Sequence, residues 1–269
     1  MLFSTYNAEG QNKPVPVKKL FGVTLRTQAW LLLSDVEKIY AKAIFQQEAT
    51  DWEPSRYGEE GIKQDGTPVI TINASTGRTE STIVHELFHL KMKGQGFCAY
   101  EHRFPPGQMN KNNQNSIEWV NLILGDAILH WLFYPEMRRM GIDPDAEVRA
   151  ELREVLQKSD FVGINPISAR EARTMYWTKA RLEIIDNELL DQIKKWYVKN
   201  EWLESLKTGE VLAESVLNSK PQTPQDVAAV YVKCLNALFE DRAKFELESW
   251  QEQKMGSYTQ CVAIIKVFK

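Results

Sequence analysis

Two of the four histidines in this chain stand one helical turn apart, with a glutamate beside the first, in the run Ile83-Val84-His85-Glu86-Leu87-Phe88-His89-Leu90. On a helix, residues four apart share a face, so His85 and His89 can hold one metal ion between them. Glu86 projects about 100° round from His85, near enough to take a proton from water at that ion without occupying a coordination position. Six histidine pairs and the glutamate content of the chain give a chance occurrence on the order of 0.004. The apolar flanks Ile83, Val84, Leu87, Phe88 and Leu90 are the residues that would seat such a helix in a core and keep the site dry. Gly94 and Gly96 follow as terminators. Taken alone, these residues support metal-assisted attack of water on a carbonyl or similar electrophile.

The stretch PVITINASTGRTESTIVHELFHLKM, Pro68 to Met92, resembles the core of a zincin metallopeptidase: a strand, a connection and the active-site helix. It is most similar to the compact intracellular zincins related to the gluzincin branch. The extended zincin pattern with a third histidine does not apply, because Met92 and Gln95 stand where it has glycine and histidine. The resemblance is specific at the motif and extends over about the first 140 residues. It implies Zn2+ as cofactor, a peptide or protein substrate, Glu86 as general base, and a cleft bordered by the strand Val69 to Ile72, to whose edge a substrate adds by backbone hydrogen bonds.

A third metal ligand has to come from elsewhere in the chain. The helix expected from Asn115 to Tyr134 is apolar almost all round and is interrupted by Glu118, Asp126 and His130. A carboxylate in the middle of an apolar helix is costly unless paired or bound to a metal, which makes Asp126 the first choice, with His130 as its partner. Glu118 is the second choice: gluzincins use a helical glutamate, but Asn115 as N-cap already explains an acid three residues on. His130 and His102 are further alternatives, the latter in a polar loop expected over residues 95–114, and a site with no third protein ligand is also open.

The elements that must position these groups read as an α+β protein. A zincin-like N-terminal half, with a small sheet and the active-site helix, precedes a mainly α-helical C-terminal half. The division is expected near residue 142, giving 1–142 as a metallopeptidase domain and 143–269 as a helical domain packed on it. Helices are expected over 27–48, 145–158, 168–206, 209–218 and 224–254, with residues 1–18 an extended arm and breaks at Gly163 to Pro166 and Ser219 to Pro224. The final stretch, Cys261 to Phe268, is strand-like and would add to the N-terminal sheet. Trp177, Trp196, Tyr197, Trp202 and Trp250 fall at helical spacing and read as core.

Composition narrows the function classes. With 33 basic and 36 acidic residues, a net charge of −3 gives no basic field for nucleic acid. The longest apolar stretch, Ala127 to Tyr134, is too short to cross a membrane. The start of the chain carries no secretory signal pattern. Cys98, Cys234 and Cys261 are odd in number and widely spaced, which reads as reduced thiols in a cytoplasmic protein. The rival to a zinc-dependent hydrolase is a binding or regulatory protein on the same scaffold, its metal structural and closed by four protein ligands.

Overall fold

The computed structural model describes residues 19–268 apart from 54–55, 108, 147–148 and 150–168. The expected arm 1–18, most of the helix 145–158 and the break at Gly163 to Pro166 lie outside the described residues. The N-terminal region is mixed α/β. A short hairpin, β1 (Lys19–Leu20) and β2 (Val23–Thr24), leads into α1 (Thr27–Tyr40), β3 (Phe45–Ala49), β4 (Gly58–Ile62), β5 (Pro68–Asn73), α2 (Glu80–Gly94) and β6 (Ala99–Arg103). A largely helical region follows: α3 (Lys111–Arg139), α4 (Ala169–Glu183), α5 (Asn187–Lys199), α6 (Leu203–Ser219) and α7 (Pro224–Leu238). The chain then forms a long hairpin of β7 (Lys244–Met255) and β8 (Tyr258–Phe268).

Several boundaries differ from the sequence expectation, each for a local reason. Helix α1 stops at Tyr40 rather than continuing to 48, because Ala41 turns left-handed at φ 52° and the next residues pair as β3 with β5. Helix α3 begins earlier than expected, on an N-cap at Asn110 whose side chain accepts from Asn113 N at 2.9 Å, and it runs through Pro135 to Arg139. Burial of Phe133, Tyr134 and Met137 holds that last stretch against the proline's missing donor. The loop expected over 95–114 contains β6, so His102 is a strand residue. The expected helix 168–206 is divided: α4 ends at Glu183, and Asp186 caps α5 through bonds to Glu188 N and Leu189 N. No break separates residues 206 and 209. Gly209 lies inside α6, where a Cβ would come 2.7 Å from Thr174 O and 2.9 Å from the Trp177 ring, so its lack of a side chain lets α6 press onto α4.

The largest departure is residues 244–254, expected as helix and found as β7. KFELESWQEQK is rich in helix-formers, yet residues 244–255 pair antiparallel with β8, with a register shift between Leu247 and Ser249. β8 does not join the N-terminal sheet. It is the central strand of a separate sheet ordered β6-β8-β7, in which Ala99 to Arg103 pair in parallel with Val262 to Lys266. That register sets Cys98 beside Cys261 and they form a disulfide across 163 positions, leaving buried Cys234 as the free cysteine. The expectation of three reduced thiols is therefore corrected: sequence spacing says nothing about cysteines joined by a parallel strand pair.

One hydrophobic core runs from Leu20 to Val267, and a smaller cluster of Trp177, Ile184, Leu189, Ile193 and Tyr197 binds α4, α5 and α6 together. Trp196 and Trp202 pack against that cluster, as core aromatic residues should, whereas Trp250 is on β7 and 37% exposed. Helix α2 is at the centre of the large core. Ile83, Val84, Leu87 and Leu90 are fully buried, each worth about 1.5–3 kcal/mol relative to exposure. Its start is capped by Thr79, whose hydroxyl accepts from Thr82 N. Two tyrosine hydroxyls donate to carbonyls near its end: Tyr40 to Leu90 O at 2.9 Å and Tyr258 to Lys93 O at 2.8 Å. The C-terminal hairpin thus helps to fix the motif helix. No described helix is long and apolar enough to cross a membrane.

The covalent link is directly countable. Thiol titration of the denatured, unreduced protein should find one free thiol per chain and three after reduction, since the sequence holds three cysteines and the bridge takes two. Three thiols before reduction would mean that the bridge does not form.

Candidate metal centre

Helix α2 presents His85 and His89 on one face, and α3 crosses it so that His130 meets them. His89 Nε2 lies 3.1 Å from His85 Nε2 and 3.0 Å from His130 Nε2. The edge of a tetrahedron with bonds of 2.0–2.1 Å is about 3.4 Å, so both of these spacings are close to the edge of a zinc coordination shell, and all three ligand atoms lie within 4.8 Å of one another. Among the described residues this trio is the one group of three or more histidine, cysteine or acidic side chains placed to hold a metal.

The surroundings favour neutral imidazoles, the form that ligates. Burial, and then the charge of the neighbouring histidines, holds His85 and His89 well below the ordinary imidazole pKa. Phe133 stands edge-on to all three rings at 5.0–5.6 Å and stacks on Phe88 at 5.2 Å, forming an apolar wall. Tyr134 stacks on His130 at 4.7 Å. His89 and His130 are buried, while His85 keeps partial access to solvent.

Behind His130 lies Glu183, the last residue of α4, with its side chain fully buried. His130 Nδ1 donates to Glu183 Oε1 at 2.7 Å, which fixes the tautomer and leaves the Nε2 lone pair aimed into the trio. Glu183 Oε2 is buried with no partner among the described residues. A buried carboxylate satisfied on one oxygen is costly, and a cation on the far side of His130 offsets that cost through the ring. The residues therefore fit a metal: three ring nitrogens gathered within 4.8 Å, one of the rings backed by a carboxylate, with no fourth protein ligand among the described residues.

Glu86 is on α2 beside His85 and 5% exposed. Its carboxylate lies against the start of β4, where a Cβ on Gly58 would be 2.7 Å from Glu86 Oε1 and 2.8 Å from Thr82 Cγ2. Glycine at 58 provides the room the carboxylate occupies. The expected free edge at Val69 to Ile72 is not there. β5 is the middle strand of the order β3-β5-β4 and has both edges paired, whereas β4 is an edge strand and reaches Glu86.

Of the ligand candidates read from sequence, the structure brings His130 to the two motif histidines and leaves the others apart. Asp126 is one turn earlier on α3 and exposed; the charge-burial argument presumed an interior position that this face of the helix does not have. Glu118 is exposed as well, and with the N-cap at Asn110 it plays no part in capping. His102 donates through Nε2 to Tyr231 Oη at 3.1 Å, and Tyr231 donates to Asn121 Oδ1 at 2.7 Å; burial pushes this imidazole down to about 4. Sequence reasoning missed Glu183. Its one trace is that an acid continues the face of Ala172, Tyr176 and Ala180, two of which are fully buried.

No family model matches the sequence, and neither a curated protein nor a solved structure matches the chain. The site itself therefore carries the assignment. His85, Glu86, His89 and His130 form a zincin-type metal site of the kind that binds catalytic Zn2+, and the arrangement fits a zinc metallopeptidase active site working by metal-activated hydrolysis.

Two variants test this geometry. Glu183→Gln keeps the shape but not the charge and should weaken zinc binding about 10–100-fold in chelator competition; unchanged affinity would deny the carboxylate its role behind His130. Gly58→Ala should retain zinc while lowering turnover by up to about a hundredfold, as the added methyl displaces Glu86; unaltered turnover would show that the carboxylate does not work from where it lies.

Proposed function

We infer that this protein is a zinc-dependent peptidase in which His85, His89 and His130 hold the metal and Glu86 is the general base. The observation that carries the reading is the convergence of three Nε2 atoms beside a buried glutamate on the same helix. Zinc bound there supplies a Lewis acid that polarises a carbonyl and lets water give up its proton near neutral pH. Glu86 takes that proton and delivers it to the leaving amine. Glu183 keeps His130 oriented, Phe88 and Phe133 exclude bulk water, and the free edge of β4 is where an extended peptide would lie.

Peptide rather than another carbonyl substrate rests on the resemblance of Pro68 to Met92 to zincins and on the edge strand beside Glu86. Kinship with gluzincin-like intracellular enzymes gains nothing from the ligand set, since the helical ligand is a histidine. A cytoplasmic location, expected from reduced cysteines, loses that support with the Cys98–Cys261 disulfide, which favours an oxidising compartment. The rival binding-protein reading requires a site closed by four protein ligands, and among the described residues no fourth ligand joins the trio.

Metal analysis and peptide turnover test the assignment together. Wild type should carry about one zinc per chain. Glu86→Gln should keep it and lose at least about 10²–10⁴-fold in turnover. His130→Ala should lose the metal under dialysis conditions in which Asp126→Asn retains it. The reverse pattern, with Asp126→Asn stripped and His130→Ala loaded, would overturn the three-histidine set.

A further inference from the structure

Glu183 is held by α3 at two points. His130 takes its carboxylate, with Nδ1 2.7 Å from Oε1, and Arg138, two turns further along the helix, donates to its backbone oxygen at 2.6 Å. Between them Tyr134 stacks on the His130 ring at 4.7 Å, with its own ring 5.7 Å from the Arg138 guanidinium carbon. Residues 130, 134 and 138 are four apart, so their side chains follow one another along a slowly turning face of α3.

The carbonyl that Arg138 takes is one that α4 cannot satisfy itself. Glu183 is the last residue of that helix, and the final four carbonyls of a helix lack intrahelical donors. A guanidinium there meets both the orphan oxygen and the negative end of the helix dipole. The same nitrogen, Nη2, also donates to the buried carboxylate of Asp145. An interior ion pair of this kind contributes little net stability, because desolvation offsets its attraction. What it does fix is direction: with one N–H committed to Asp145, the planar guanidinium holds the other at a set angle toward Glu183. The end of α3 is in turn tied to the motif helix, since Arg26 donates to Gly141 O at 2.8 Å and pairs at 2.8 Å with Glu80, the first residue of α2.

Resting on the three-histidine metal centre, we propose that Arg138, locked by Asp145, is a positioning residue for the metal. It fixes the last residue of α4 and, through it, the carboxylate that orients His130. Its effect reaches the trio only by way of the Glu183 side chain. Without it the end of α4 frays, as helix ends do, and the bond to His130 Nδ1 lengthens.

Zinc affinity measured by chelator competition, with the melting temperature of the metal-free protein followed by circular dichroism, tests this. Arg138→Gln should weaken zinc binding about fivefold or more, less than Glu183→Gln does because it acts at one remove. Arg138→Met combined with Asp145→Asn leaves no buried charge unpaired, and should melt close to wild type when metal-free while showing a similar loss of zinc. This pair variant carries the test by itself if Arg138→Gln fails to fold. In a Glu183→Ala background neither change should cost further zinc affinity, as there is then no side chain to place. Arg149→Gln, which removes a neighbouring cation paired with Asp143, should bind zinc as wild type does. Unchanged zinc affinity in the folded Arg138 variants would overturn the proposal. So would an undiminished loss in the Glu183→Ala background, which would make Arg138 a general support of the fold. Wild type that binds no zinc would overturn the metal centre and this proposal with it, whereas zinc-loaded wild type beside unaffected Arg138 variants overturns the proposal alone.

Discussion

Three imidazole nitrogens gathered within 4.8 Å of one another, with His89 about 3 Å from each of the other two, are the constraint on which the rest of this structure depends. A single proton can join two such nitrogens, but it cannot satisfy three whose lone pairs face one point. A cation can. Each surrounding element enforces that geometry. Helix α2 is held by its buried face and by the hydroxyls of Tyr40 and Tyr258 near its end. Helix α3 is long enough to bring residue 130 across it, and α4 ends where Glu183 can grip the far side of the ring. The C-terminal hairpin, remote in sequence, thereby supports a site that it does not touch.

What could be read in the sequence was whatever repeats locally. The motif helix, its apolar flanks, the order of a mixed region followed by helices, and the core role of Trp177 and Tyr197 all follow from spacing within one or two turns. Glu183, β7 and the disulfide did not, because each is fixed by a partner far away in the chain. Residues 244–254 have helix-forming composition and become strand through pairing with β8. Cys98 and Cys261 meet through the parallel register of β6 and β8. Glu183 has a role only because α4 ends beside α3.

The third ligand is the informative case. Sequence reasoning placed Asp126 and His130 on one face of an apolar helix and asked which of them needed a metal. A buried carboxylate would have needed it more, and that ordering was sound as energetics. It turned on an assumption about exposure: α3 is not buried all round, and the open strip passes through Glu118, Leu122 and Asp126 before closing over His130. One turn of helix separates a side chain that faces solvent from one that is sealed in.

The exchange of a carboxylate for an imidazole also changes the chemistry available. A ligand set of two histidines and a carboxylate would cancel one of zinc's two positive charges, whereas three neutral histidines leave both in place. The negative charge here is one step removed, on Glu183, and acts by making His130 a better donor and fixing its orientation rather than by neutralising the ion. A centre of that kind binds its metal through preorganised geometry and keeps a stronger field at its open position. Glu86 then has to be held in place beside that field, and Gly58, by lacking a side chain, leaves the carboxylate the space to lie there.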